Sequence, residues 1–564
     1  MALLGCVTMQ AYAIDFVVGD VNVSWDSQII GGLGLRTESP SCSLVGGSSG
    51  VAGCSGNGNA AQWGNGSLGD LNYHKGQLYS EYLKGTTELL LSNPDGYKFM
   101  LRDTFIYDQG AANSITPLSS SAEKTVAPNN RLLDLWISKN YAIDGQSGHW
   151  RLGNQVLNWG ESYFAVGGIN ATNSLDLQKL LTPGVQIKEA VLPSPMLAVS
   201  QGLGMGFSVE AYYQFGWNHH RFPAVGTFWS TSNQYGAGGI PAYTNSTNAN
   251  VGTYPGDPSA FVTPFGPDRD PKDHGQYGIN LHYKPKSAPL DMGFYVLNYH
   301  DKMPVIGYDA GSGSSYFDYL SNRKLYGISV NVPLGDFAVG MESSYRPHDA
   351  VSLTGCFAGN GGQINANTST YTGSCQQWKD MKKIQTDIVG QLNMQPSDYP
   401  ALKKIGADFA VFTIEGTMVS YPGVSNNGLV TSTQGGTTVV QGYDAGYGAW
   451  LNGSNISNQT VASVGSANSE GMTVDFNWTY DGSLVPGWQI NPGVTFFDAL
   501  HGNTPNPLGQ YLQGQKSLNF YAYFNQNPAV WQAGANYTHY FGGTPVSQPY
   551  GDRDNIGLFV TRNF

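Results

Sequence analysis

Apolar and polar side chains alternate along much of the chain. Met472, Val474, Phe476, Trp478 and Tyr480 are separated by Thr473, Asp475, Asn477 and Thr479. Val209, Ala211, Tyr213, Phe215 and Trp217 alternate with Ser208, Glu210, Tyr212 and Gln214, and Leu518, Phe520, Ala522 and Phe524 with Ser517, Asn519, Tyr521 and Tyr523. Tyr326, Ile328, Val330 and Val332 repeat the pattern. A period of two places each set on one face of a strand. Eighteen such strands are predicted, at 21–38, 78–92, 96–109, 131–142, 148–160, 185–201, 205–217, 276–285, 290–301, 324–333, 336–347, 378–394, 404–421, 471–481, 486–499, 515–525, 529–541 and 553–564. The links between them alternate between long and short. Asn93-Pro94-Asp95-Gly96, Pro333-Leu334-Gly335 and Asn527-Pro528 are turn sequences, whereas 39–77, 218–275 and 422–470 are long. A soluble sandwich also alternates, but here the apolar faces repeatedly end in aromatics, as a membrane girdle does. The expected fold is all-β: a transmembrane antiparallel β-barrel of about 18 strands, with long extracellular loops and short periplasmic turns.

Composition supports this reading. Charged residues are 12% of 564, with 74 Gly and 34 Tyr; soluble chains carry about twice that charge. No run of about 18 apolar residues occurs, which excludes a spanning helix. A net charge of −12 argues against nucleic acid as a partner. Ala11-Tyr12-Ala13 has the small-x-small form of a signal-peptidase site, so residues 1–13 read as the remnant of a signal peptide and 14–564 as the barrel domain. Leu3-Leu4-Gly5-Cys6 also has the look of a lipoprotein box, without the apolar run that should precede it. An even strand count places both termini in the periplasm of a Gram-negative outer membrane. The chain ends with Ile556, Leu558, Val560 and Phe564 on one face, an assembly signal in which Arg562 is the unusual residue. Cys42 with Cys54, and Cys356 with Cys375, are close in sequence in Gly/Ser-rich stretches and are expected to form disulfides. Zinc lacks His or further Cys at ligand spacing.

Several segments together resemble one family: Arg151-Leu152-Gly153-Asn154-Gln155-Val156-Leu157-Asn158-Trp159-Gly160-Glu161-Ser162, Gly167-Gly168-Ile169-Asn170, Lys188 to Met196, Ser208 to Gln214, Leu290 to Tyr295, Leu297-Asn298-Tyr299-His300, Ser344-Tyr345-Arg346-Pro347 and Ile490 to Thr495. The resemblance is to the proteobacterial domain of unknown function 1302 family and covers nearly the whole mature chain. It implies an outer-membrane barrel. It also implies envelope transport of hydrophobic material, alongside a periplasmic partner of lipoprotein fold and an inner-membrane exporter. Outer-membrane lipids and the barrel assembly machinery are the general partners of such a barrel.

The alternation assigns Lys84, Glu88, Arg102, Asp134, Arg151, Glu210, His282, Glu342, Arg346 and Asp475 to the lumen. Both signs occur, so either a neutralised network or a selective constriction fits. In loop 163–184, Asn173-Ser174 is expected to cap a short helix carrying Leu175, Leu177, Leu180 and Leu181, stopped by Thr182-Pro183-Gly184. That loop either plugs the lumen or lies on the rim. Loop 218–275 is aromatic, and Phe228, Trp229 and Phe265 are candidates for a vestibule that receives a lipid-like ligand. Asp257, Asp268, Asp270 and Asp273 lack calcium-loop spacing, and Gly46-Gly47-Ser48-Ser49-Gly50 lacks the strand and helix of a nucleophile elbow. No cofactor, metal site or catalytic triad is assembled, so an enzyme is not expected. Three classes of function stay open: a barrel for uptake or export of hydrophobic or amphipathic small molecules, a general or solute-selective porin, and a structural or adhesive barrel.

Overall fold

The computed structural model describes residues 14–44, 68–240, 242–244, 261–263, 265–309, 311–353, 374–425, 428–434, 437–445, 465–506, 509–544 and 547–564. The first 13 residues, with Cys6 and the expected cleavage site, lie outside them, as do Cys54 and Cys356. The side chain of Cys375 is likewise not described. Cys42 is disulfide-bonded.

The main sheet has 19 strands. Setting aside Ile14–Val18, which pairs with the start of the next strand, 18 strands form a closed antiparallel wall. They are β1 Val21–Arg36, β2 Leu78–Ser92, β3 Tyr97–Asp108, β4 Asn129–Ile143, β5 Gln146–Gln155, β6 Ser194–Gly204, β7 Phe207–Gln214, β8 Gln276–Tyr283, β9 Asp291–Tyr299, β10 Arg323–Leu334, β11 Phe337–Ser352, β12 Trp378–Met394, β13 Phe409–Ser420, β14 Asn468–Asp481, β15 Trp488–His501, β16 Gln515–Gln526, β17 Trp531–Gly542 and β18 Asn555–Asn563. Consecutive strands pair around the ring. The seam closes where Gln28–Arg36 runs against Asn563–Asn555, and a closed sheet leaves no edge to aggregate.

The alternation decides the two faces. Lys84 is 0% exposed while its neighbour Leu83 is 51% exposed, so the polar set points inward and the apolar set outward. Phe105, Phe215, Ile279, Phe294, Ile328, Ile388, Phe520 and Val560 all present their side chains on the outside. A belt of exposed aliphatic and aromatic groups around a closed wall is stable only against hydrocarbon. This is an outer-membrane-type β-barrel. One end of the wall carries tight connections such as Asp144-Gly145, where both residues have positive φ (50° and 74°). That conformation suits a two-residue hairpin and is tolerated by Asp-Gly. Segments such as 156–193 and 215–240 leave from the other end. There Val351, Leu353, Val419, Tyr421, Tyr443 and Tyr511 form a separate apolar core.

Three expected strand boundaries are corrected. Strand 148–160 ends at Gln155, because the chain then turns into the lumen. Of the expected strand 185–201, Ile187–Ala190 is a helical turn, and Val191–Leu192 pairs with Ser174–Leu175 instead of the wall. The start of 404–421 belongs to a helical turn, Pro400–Ile405, with Pro at its first turn and Gly406 in the left-handed C-cap conformation.

Candidate functional site

The segment 156–193 leaves the top of β5, crosses the lumen and returns to β6. Its entry is fixed by Trp159, whose Nε1 donates to Glu210 (2.8 Å) and whose ring packs on Tyr212 and Tyr295. Beyond it the backbone amides turn toward the far wall. Glu342 on β11 accepts from the amides of Glu161 (2.6 Å), Ser162 (3.1 Å) and Ile169 (2.8 Å). Glu415 on β13 accepts from those of Tyr163 (2.9 Å), Phe164 and Ala165 (3.0 Å). Six amides that would otherwise be unsatisfied inside the barrel thus meet two carboxylates, each such bond worth roughly 1.5–3 kcal/mol. The loop's carbonyls are met as well. Gln385 and Gln510 donate to Val166 O (3.0 and 2.7 Å), and Arg346 donates to Gly168 O (2.7 Å). A Cβ at Gly168 would overlap the Glu342 carboxylate, so the glycine lets the loop approach it closely.

The return path is anchored on the opposite arc of the circumference. Tyr82 donates to Pro183 O. Lys84 pairs with Glu189, which also accepts from Thr86 (2.8 Å), and Lys188 pairs with Glu88. The helix in this loop is shorter than expected. It spans Leu177–Leu180 and is capped by Asp176, whose carboxylate accepts from Lys179 N. Asn173 and Ser174 do not cap it because their side chains are already engaged, Asn173 with Leu157 and Ser174 with Asn218. Leu177, Leu180 and Leu181 face a cavity of 210 Å³ that Phe164, Phe497 and Tyr511 also line. Leu175 faces a second cavity, of 270 Å³, which shares Phe164, Val166, Leu180 and Gln510 with the first.

The ten residues assigned to the lumen have the following partners. Arg102 bridges Glu88 and Asp134. Arg151 bonds Gln155 and Val156 O and lies over Trp136. His282 sits between Asp291 (2.8 Å) and Tyr295 (3.2 Å). Asp475 accepts from Thr495 (2.7 Å) and Tyr521 (3.1 Å). Lys84, Glu210, Glu342 and Arg346 hold the crossing loop. Glu189, Gln385, Lys383 and Glu415 were not among the expected site residues. Glu415 had a signal, since it shares the inward period with Thr413 and Thr417.

The aromatic loop is packed shut where it is described. Pro223 to Tyr235 is an unbroken buried run. Phe228 stacks on Tyr79 (4.0 Å, 15°) and packs against Trp229 and Tyr73. The guanidinium groups of Arg36 and Arg553 lie 5.7 and 5.8 Å from its ring. Phe228 and Trp229 are 1% and 5% exposed, so their faces are filled by protein and not presented to a ligand. Phe265 packs on Phe317 (4.9 Å). These contacts come from strands and loops distant in sequence, which an aromatic count cannot anticipate.

A family profile described as protein of unknown function (DUF1302) matches residues 1–564. The chain belongs to the DUF1302 family. No curated protein matches this DUF1302 chain. Among solved structures, Pseudomonas aeruginosa OpdK with vanillate aligns at 9% identity over 96% of this chain and 98% of its own (TM-score 0.41). P. aeruginosa OccD3 (OpdP) aligns at 11% over 99% and 94% (0.41). Acinetobacter baumannii OccAB1 aligns at 10% over 98% and 99% (0.43).

Proposed function

We propose that this DUF1302 chain is an outer-membrane conduit for hydrophobic or amphipathic small molecules, occluded at rest by its own loop. The observation that carries this reading is the crossing of the lumen by 156–193, held by Glu342 and Glu415 on one arc and Lys84 on the other. An 18-stranded wall without a filler would enclose an aqueous channel. Beside the loop lies an apolar cavity lined by Phe164, Leu180 and Phe497, where buried apolar surface gains roughly 25 cal/mol per Å². The short-turn end, where residues 14 and 564 emerge, faces the periplasm in this reading. A periplasmic lipoprotein and an inner-membrane exporter would then meet that end.

The test is electrical and cellular. In planar bilayers the wild type should conduct poorly, and deletion of 171–182 should give large, steady conductance. Cells lacking the protein should take up an apolar aromatic solute more slowly. The polar inner wall favours a second reading, a solute-selective porin. That reading wins if the wild type conducts like a wide pore and apolar uptake does not depend on the protein.

A further inference from the structure

Three cations border the 270 Å³ cavity beside the crossing loop: Lys302, Arg346 and Lys383. They are 5%, 3% and 4% exposed, yet none of them has a carboxylate at ion-pair distance among the described residues. Lys302 donates to the amide oxygen of Gln276 (3.0 Å). Arg346 donates to Tyr299 Oη (2.8 Å), Gly168 O (2.7 Å) and Ser344 Oγ (3.5 Å). Lys383 has no hydrogen-bond partner among the described residues, and its Nζ lies against Gly167 of the loop. Two carboxylates at the same cavity act on these cations only through space: Asp301 is in contact with Arg323 (3.2 Å) and Asp349 accepts from the Tyr421 hydroxyl (2.6 Å).

Arg346 and Lys383 are moreover direct cross-strand partners on β11 and β12. Like charges in that register repel, and the Lys383 ammonium meets the cavity instead of an acceptor on the wall. The Lys383 ammonium therefore borders the cavity with no acceptor from the described residues, an open position for an anionic oxygen. The same cavity has an apolar part of its lining, through Phe164, Val166 and Leu180, which it shares with the 210 Å³ cavity lined by Phe497.

We propose that this paired cavity binds an amphipathic anion, with a single carboxylate-sized head at Lys383, Arg346 and Lys302 and an apolar body along Phe164, Leu180 and Phe497. This rests on the conduit reading above and narrows its substrate class. The head would supply the acceptor that Lys383 lacks among the described residues. The body would displace water from the apolar wall beside the loop.

The probe is octanoate, titrated calorimetrically into the full-length barrel in uncharged nanodiscs, with octanol, octylammonium and acetate as comparisons. Octanoate should bind roughly tenfold tighter than each of the three. Lys383→Gln should remove that advantage while leaving octanol unchanged. Lys302→Gln, outside the wall strands, should weaken octanoate in the same direction and serves if the wall variant does not assemble. Equal binding of octanol or acetate, tighter binding of octylammonium, or octanoate affinity indifferent to both variants would overturn the proposal. If octanol binds equally and the wild type is electrically closed, the conduit reading survives alone. If no probe binds and the wild type conducts like a wide pore, both readings fall.

Discussion

Lys84 of the barrel wall and Glu189 of the crossing loop form an ion pair in which neither side chain reaches solvent. Thr86 donates to the second carboxylate oxygen (2.8 Å), so the acid is satisfied on both sides. The pair fixes the return limb of the loop to β2. Removing one partner strands a buried charge, a loss of roughly 3–5 kcal/mol, whereas replacing both by apolar groups costs far less. Lys84→Met and Glu189→Leu should therefore each lower the unfolding midpoint more than the double variant does. A double-mutant cycle by thermal unfolding in detergent checks this, and additive losses would count against it.

Glu342 and Glu415 together hold six amides of the loop. Replacing both by Ala leaves those amides without acceptors inside the barrel, while the wall pairing of β11 and β13 depends only on backbone. The expected outcome is a folded barrel with several-fold higher single-channel conductance. Gly168→Val should act in the same direction by forcing the loop off the Glu342 carboxylate. Wild-type conductance in both variants would show that the loop does not occlude the pore.

Phe564 closes the seam. Its amide donates to Ser27 O (2.8 Å), its carbonyl accepts from Ser27 N (3.3 Å), and its ring lies 5.5 Å from the Arg562 guanidinium, which also covers Trp531 (4.8 Å). Arg562 therefore sits between two rings at the wall's rim, which accounts for a basic residue on an otherwise apolar face. Deleting Phe564 should lower the fraction of heat-modifiable barrel in the membrane far more than a loop substitution does. An unchanged fraction in gels would sink the claim.

The wall was legible because its rule is local. Leu83 faces out and Lys84 faces in for the same reason at every strand, and a period of two survives any change of partner. The lumen was legible only residue by residue. Glu342 could be placed on the inward face, but its acceptor role depends on a loop nearly two hundred positions earlier in the chain. The helix cap fell to Asp176 because Asn173 and Ser174 are held by Leu157 and Asn218, a competition invisible in a local window. Phe228 looked like an exposed aromatic because nothing nearby in sequence reveals Tyr79, Arg36 and Arg553 around it.

The crossing loop also carries a pH-sensitive fastening. His220 Nδ1 accepts from the amide of Leu175 (2.8 Å), a role open only to the neutral imidazole. Burial, reinforced by the neighbouring charges of Lys302 and His219, pushes its pKa down from 6.5 to about 3. A histidine lowered in the folded state contributes stability that is full above its unfolded pKa and lost as pH falls. Below about 6.5 each unit of pH should remove about 1.4 kcal/mol, until the folded value is reached. Acidification from pH 7 to 4 should accordingly lower the thermal midpoint and raise the open probability in bilayers, as the Leu175 strand loses its acceptor. His220→Asn offers an oxygen near the Nδ1 position that does not titrate, so it should keep the loop fastened and flatten both profiles. If wild type and His220→Asn respond to acid identically, the sensitivity lies elsewhere and His220 is only a packing residue.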